Sequence, residues 1–340
     1  MAKSKYEYVK EFETDDKLLR NVFILVRVDG KGFHKFSAAH QFNKPNDVRA
    51  LNLMNHAARS VMHELDDIVL AFGESDEYSF LFRRSTDLYQ RRESKIVSTV
   101  VSLFTSAYVY YWNDYFTDSR RPLYPPVFDG RAVLYPSEVE VKDYFAWRQA
   151  DTHINNLFNT SFWALVEKGG MTPKAAEVKL SGTDSKDKNE MLFTEFNTNY
   201  SKLPAIFRKG SVLLREHILK SLDKDHIIPT LPETLPGSTS ADASVAESTM
   251  DTEEDTATPS ISETPSIDNK RPLESDGATD EGDPTSEGAG ESSGEFQAPP
   301  GFKRMKKGVV IDHIDIIGPK FWSGRGAYIL APEKRKKTGP

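Results

Sequence analysis

Ala71-Phe72-Gly73-Glu74-Ser75-Asp76-Glu77-Tyr78-Ser79-Phe80-Leu81-Phe82 sets a small, acidic centre between two apolar arms. The arms, Ile68 to Phe72 and Tyr78 to Phe82, read as a β-hairpin whose turn carries Asp76 and Glu77. Upstream, Val22-Phe23-Ile24-Leu25-Val26-Arg27-Val28 reads as a second strand and ends in Asp29-Gly30. If the two strands pair, their carboxylates meet in a hard, oxygen-lined site suited to Mg²⁺. A lone acidic turn is usually only solvated. Two acidic strand ends followed by small residues and basic helices point beyond that.

Outward from this centre, Gly30-Lys31-Gly32-Phe33-His34 joins the first strand to a helix. Two glycines there let backbone N–H groups curl toward an anion such as a triphosphate. Lys44-Pro45-Asn46-Asp47 punctuates the chain, and Leu51, Met54, Ala58, Val61, Met62 and Leu65 then keep helical spacing. After the hairpin, Tyr89-Gln90-Arg91-Arg92-Glu93-Ser94-Lys95 opens a helix with Val97, Val100, Phe104, Ala107 and Tyr111 on one face. Its basic first turn opposes the helix dipole, a cost that a polyanion would relieve. Phe128 to Tyr135 is the next strand. Strand, helix, hairpin, helix, strand is the βαββαβ order of an α+β, ferredoxin-like antiparallel sheet, the core of palm-type polymerases and nucleotidyl cyclases. Order alone supports a fold and no activity.

These elements fill residues 1–136 as a catalytic region, and 137–228 read as mainly helical. Trp147-Arg148-Gln149-Ala150-Asp151-Thr152-His153-Ile154-Asn155-Asn156-Leu157-Phe158-Asn159 lies in one long helix, with Ile154, Leu157, Phe158 and Leu165 as its expected buried stripe. Thr172-Pro173 caps and opens another helix. Lys188-Asn189-Glu190 opens an apolar run as an exposed polar edge, and Phe207 to Leu214 reads as a strand. Residues 229–307 read as a disordered acidic insert of Ser, Thr, Pro, Glu, Asp, Gly and Ala. Residues 308–340 supply a closing strand, Gly308 to Asp312, pairing with Val212-Leu213-Leu214, and then a basic tail. From Leu231 to Ala298, seventeen Asp and Glu stand against Lys270 and Arg271 alone, a charge of −15; the whole chain's −7 therefore leaves about +8 on the rest. A basic body points to a polyanionic partner such as nucleic acid. The chain has no cysteine, which excludes disulfides, thiolate metal sites and cysteine nucleophiles. No apolar run is long enough to span a membrane, and the N-terminus lacks a signal-peptide core, so cytoplasm or nucleus is expected rather than secretion.

The chain resembles the eukaryotic tRNA-histidine guanylyltransferases. The resemblance is carried by Met1 to Val9, Arg27-Val28-Asp29-Gly30-Lys31-Gly32-Phe33-His34, Lys44-Pro45-Asn46-Asp47 and Glu74-Ser75-Asp76-Glu77-Tyr78-Ser79-Phe80. It continues through Phe128-Asp129-Gly130-Arg131, Trp147 to Asp151, His153 to Asn159, Lys188-Asn189-Glu190 and Asp315-Ile316-Ile317-Gly318. It leaves the acidic insert and the basic tail unexplained.

The resemblance implies an enzyme that adds a guanylate to the 5′ end of histidine tRNA, at position −1, by 3′–5′ nucleotidyl transfer. ATP and GTP are the implied substrates and a homotetramer the implied assembly. Asp29, the Gly30 carbonyl and Asp76 would hold two Mg²⁺ ions. Gly30 to His34 (Lys31, Gly32 and Phe33 between them) would wrap the GTP triphosphate, with Asp29, Ser75 and Asp76 beside it. Glu77 is left open between supporting the ligands and sharing a metal. Lys44, Lys95 and Arg92 are implied cations for triphosphates or the tRNA 5′ phosphate. His153, Asn156, Lys188 and Asn189 fall in blocks associated with tRNA recognition. Two other readings use the same residues: a template-directed 3′–5′ polymerase repairing tRNA 5′ ends, and a catalytically silent tRNA-binding protein. The silent reading expects a lost metal carboxylate, whereas both Asp29 and Asp76 are present.

Overall fold

A computed structural model describes residues 4–118, 121–215 and 308–331, all within one compact unit. The acidic insert and both basic clusters, 303–307 and 334–337, lie outside the described residues. The strands are β1 (Phe23–Gly30), β2 (Ile68–Glu74), β3 (Glu77–Phe82), β4 (Phe128–Tyr135), β5 (Ser211–Arg215) and β6 (Val309–Asp312). They form one antiparallel sheet in the order β4-β1-β3-β2-β5-β6. The first four strands have the expected split βαβ arrangement. The last two extend it past β2, with Val212, Leu213 and Leu214 opposite Asp312, Ile311 and Val310.

Strand alternation divides the core between two faces. Ile24, Val26, Val28, Tyr78 and Phe80 pack with α2 (Val48–Glu64) and α3 (Glu93–Tyr110), which follow the short α1 (Phe33–Ala39). Leu25, Phe72 and Leu81 face the other way, onto Val141, Tyr144 and Phe145 of the long α5 (Glu138–Trp163), which follows the one-turn α4 (Trp112–Tyr115). Ile316, Phe321 and Trp322 complete this second core, so the closing segment is structural. Each such buried side chain contributes about 1.5–3 kcal/mol. α5 begins at a capping box, Ser137 with Glu140, which satisfies donors that the helix start would otherwise leave unpaired.

Several local expectations are corrected. The hairpin turn is Ser75-Asp76, with Ser75 at φ +47°, and Glu77 is the first residue of β3. α3 starts at Glu93, not at Tyr89: Tyr89, Gln90 and Arg91 hold positive φ, and buried Arg91 donates to the carbonyls of Leu18, Thr86 and Val22. Three backbone carbonyls take up that guanidinium in place of solvent. In α5, Ile154 and Phe158 are 57% and 38% exposed, and Asn156 is buried instead. Phe207 sits in the helix α8 (Ala205–Lys209), and the strand begins only at Ser211. Between α5 and α8 run α6 (Pro173–Leu180) and α7 (Ser185–Phe196), the first opened by Thr172 and Pro173 as expected.

Candidate active site

Pairing register puts four carboxylates in a row across the end of the sheet. Glu74 of β2 faces Glu77 of β3, Glu77 faces Asp29 of β1, and Asp29 faces Asp129 of β4. Directly opposed like charges destabilise a sheet unless cations separate them. Three arginines do so. Arg131 bonds Asp129 at 2.9 Å, Arg27 lies 3.7 Å from Glu77, and Arg148 of α5 reaches Glu74 at 3.4 Å and Glu77 at 3.3 Å. Among the described residues, Asp29 is the carboxylate of the row with no ion pair within 4 Å, Arg131 acting on it only from farther off.

Asp76, on the turn beside this row, likewise has no ion pair among the described residues; its carboxylate accepts from Ser75 Oγ at 3.0 Å and from its own backbone N–H. The turn is tied to β1 by the Gly30 N–H, which donates to the Asp76 carbonyl at 3.0 Å. Burial and, secondarily, the Asp29 charge raise the Asp76 carboxyl above its ordinary value. Glu77 is also raised by burial, although Arg148 and Arg27 pull it back. Burial pushes Glu74 up to about 7. Two carboxylates left without cations, next to three that have them, form a local deficit of positive charge. No group of three or more His, Asp or Glu side chains positioned to hold a metal occurs among the described residues. The donor set for a cation is therefore two carboxylates supplemented by backbone oxygen.

Two adjoining cavities open on this centre, of about 300 and 490 Å³, and share Ser75, Asp76, Pro45, Asn46 and Asn159 in their walls. Asp29, Glu74, Glu77 and Arg148 line the first; Phe33, His34, Lys44 and Asp47 line the second. Volumes of this order hold nucleotide-sized ligands. Between β1 and α1, Gly32 takes φ +69°, and α1 starts with no side-chain cap; the Lys35 N–H turns back onto the Gly32 carbonyl at 3.0 Å, and no side chain caps those of Phe33 and His34. A Cβ on Gly30 would stand 2.4 Å from the Phe33 ring, so only glycine fits under that ring. The Lys31 N–H is already used, bonding the Val127 carbonyl at 2.8 Å.

A family model described as tRNAHis guanylyltransferase matches residues 6–136, and one described as Thg1 C terminal domain matches 139–318. A Dictyostelium discoideum protein named probable tRNA(His) guanylyltransferase is 59% identical over 218 residues, 64% of this chain and 85% of its own length. The tRNA(His) guanylyltransferase of Neurospora crassa is 58% identical over 221 residues, 64% of this chain and 75% of its own. The crystal structure of the Saccharomyces cerevisiae enzyme superposes with a TM-score of 0.60 at 48% identity, covering 62% of this chain and 93% of that one.

The chain belongs to the tRNA(His) guanylyltransferase family.

A bacterial protein similar to this family, solved in complex with ATP, superposes with a TM-score of 0.52 at 25% identity, over 62% of this chain and 86% of its own. The family is one of nucleotidyltransferases. The structure gathers Asp29, Ser75, Asp76, Glu77, Phe33, His34, Lys44 and Asn156 onto the walls of the two cavities. Lys44 Nζ lies over the Trp163 ring at 5.6 Å. Lys95 is exposed on α3 and on neither wall. Arg92, at the start of α3, bonds Asp16 at 3.0 Å.

The four helical residues associated with tRNA separate into two pairs. Asn156 accepts from Asn46 at 2.8 Å and donates to the Tyr200 hydroxyl at 3.0 Å, and that hydroxyl lies 3.3 Å from His153 Nδ1. This network joins the loop before α2 to α5 and to the short turn at Tyr200. Lys188 Nζ instead caps the Thr183 carbonyl at 2.6 Å, and exposed Asn189 donates to the Ser185 carbonyl at 2.8 Å. Sequence reading singled out neither Arg148 nor Glu74 as a site residue. Their signal was available only as a consequence of register: once Glu74 and Glu77 face each other, a buried cation becomes necessary.

Proposed function

We propose that this chain adds a guanylate to the 5′ end of histidine tRNA, at position −1, by 3′–5′ nucleotidyl transfer. The observation that carries the reading is the pair Asp29 and Asp76, at a strand end and the adjoining turn with no direct ion pair among the described residues, in a chain of this family. Asp29, Asp76 and the Gly30 carbonyl suit Mg²⁺, since all three are hard oxygen donors and the carboxylates lack positive partners. Two such ions, when bound, neutralise phosphate charge and serve attacking and leaving oxygens together.

The chain's own residues place the reactants. The uncapped first turn of α1, Gly32 to His34, receives a triphosphate on its N–H groups, with Lys31 and Ser75 beside it. Lys44, half-buried against Trp163, meets phosphate charge in the second cavity. Lys95 and Arg92 serve an approaching tRNA from the outside, Arg92 after exchanging its partner Asp16. In sequence, the tRNA 5′ monophosphate attacks the α-phosphorus of ATP and pyrophosphate leaves. The 3′-hydroxyl of GTP then attacks the adenylylated phosphorus and AMP leaves, and water trims the new 5′-triphosphate to a monophosphate. Each step is in-line substitution at phosphorus, in which placement and charge neutralisation suffice and no protein nucleophile is needed.

In this reading residues 1–136 carry catalysis and 137–228 hold the tRNA, His153 and Asn156 by shaping the groove and Lys188 and Asn189 from the surface. Assembly as a homotetramer and residence in cytoplasm or nucleus belong to the same reading. No helix among the described residues is long and apolar enough to cross a membrane.

The test offers purified protein, Mg²⁺, ATP and α-labelled GTP to 5′-monophosphorylated histidine tRNA and phenylalanine tRNA. Label at the 5′ end of histidine tRNA alone is the expected result. Label on both, and only on 5′-truncated molecules, would replace the reading with template-directed repair. No label on either would refute transfer.

A further inference from the structure

Arg148 of α5 joins the two carboxylates that close the hairpin, one on each strand. Its Nη1 lies 3.4 Å from Glu74, 3.3 Å from Glu77 and 3.5 Å from Asp151. Its side chain is 8% exposed, and those of Glu74 and Glu77 are 9% and 14% exposed, so solvent cannot stand in for it. The guanidinium carbon sits 3.4 Å from the Trp147 ring centroid, which fixes the plane of the fork. Glu74 and Glu77 close the hairpin directly on either side of the Ser75-Asp76 turn. Glu77 is also the register partner of Asp29.

We propose that Arg148 is a positioning residue that sorts the carboxylates of this centre: by holding Glu74 and Glu77 it keeps them off the metal ions and leaves Asp29 and Asp76 as the carboxylate ligands. The proposal rests on the reading of Asp29 and Asp76 as metal ligands. Without the guanidinium, Glu74 and Glu77 oppose each other with Arg27, 3.7 Å from Glu77, as the one remaining ion pair among the described residues. They then recruit a cation from solution, and the simplest available one is a further divalent ion. That ion pulls Glu77 toward Asp29 and disturbs the turn that carries Asp76. Lysine at the same place supplies charge without the fork and should sort the carboxylates incompletely.

The test counts Mn²⁺ bound to the full chain at equilibrium by electron paramagnetic resonance, alongside single-turnover transfer. R148M is expected to bind about one more ion per chain than the wild type. Its transfer rate should fall about 10–100-fold, as losses of ligand-supporting residues do, with the KM for GTP changed far less than kcat. R148K should lie between, and R148M/E77Q should lose the additional ion. If R148M does not fold, R148M/E74Q removes one stranded charge and keeps Glu77 free to recruit the ion. An unchanged ion count with unchanged transfer in either variant overturns the proposal. So does a loss of activity that merely tracks the folded fraction. A wild type that binds no divalent ion at all refutes the reading of Asp29 and Asp76 themselves, and this inference falls with it.

Discussion

The strand ends and the middle of α5 both gather polar side chains around one groove, yet they use them in opposite ways. At the strand ends and their turn, five carboxylates are divided: Glu74, Glu77 and Asp129 pair directly with arginines, and among the described residues Asp29 and Asp76 have no such ion pair. In α5, the side chains of His153 and Asn156 are spent on the protein itself, through Asn46 and Tyr200. The first region keeps unmet charge for a ligand; the second meets its own hydrogen bonds and holds two parts of the chain in place. The comparison predicts that substitutions at Asp29 and Asp76 change chemistry with little change in stability, and that those at Asn156 do the reverse.

The largest effect should come from Asp29→Asn and Asp76→Asn. Each should cost about 10³-fold or more in transfer, as loss of central charge stabilisation does, while gel-shift affinity for tRNA stays within a few-fold of the wild type. Asn156→Ala removes the acceptor of the Asn46 amide and one partner of the Tyr200 hydroxyl, which keeps His153, and should destabilise by about 1–3 kcal/mol. Thermal unfolding measures it. Tyr200→Phe, which removes one hydroxyl, should cost less.

Glu74 gives a pH-dependent contrast. Its folded value of about 7 lies above the ordinary 4.5, so the folded state binds the proton more tightly than the unfolded one. Its contribution to stability is therefore lost as pH rises from 4.5 through 7. Glu74→Gln should be more stable than the wild type by about 3 kcal/mol above that window and equal to it below. Denaturant titrations of metal-free protein at the two ends of the window check both the sign and the size. Arg131→Ala breaks an ion pair whose partners are 54% and 51% exposed, and should shift stability by only about 0.2–1 kcal/mol.

What the sequence revealed follows the same division. The hairpin, its carboxylates and the glycine-bounded turn before α1 are local patterns, and local patterns can be read from a chain. The closing strand was legible as well, since Val309 to Asp312 is apolar enough to need a partner and Val212 to Leu214 stands ready. Register was not legible: one residue decided whether Glu77 sat in the turn or opposite Glu74. The α5 stripe failed for a related reason. Periodicity chose Ile154 and Phe158 as buried, but the groove beside α5 is lined with amides and wants Asn156, whose partners Asn46 and Tyr200 are 110 and 44 residues away. Buried Arg91 misled for the same cause, its acceptors being carbonyls from other segments.

Charge sorting at the strand ends is the central claim, and counting bound Mn²⁺ in wild type, D29N, D76N and D129N tests it most directly. All four differ by at most one charge, and Asp29 and Asp129 are register partners on adjacent strands. The account predicts that D29N and D76N each lose bound ions while D129N, whose carboxylate already belongs to Arg131, keeps the wild-type number. Loss of ions from D129N equal to that from D29N would contradict it.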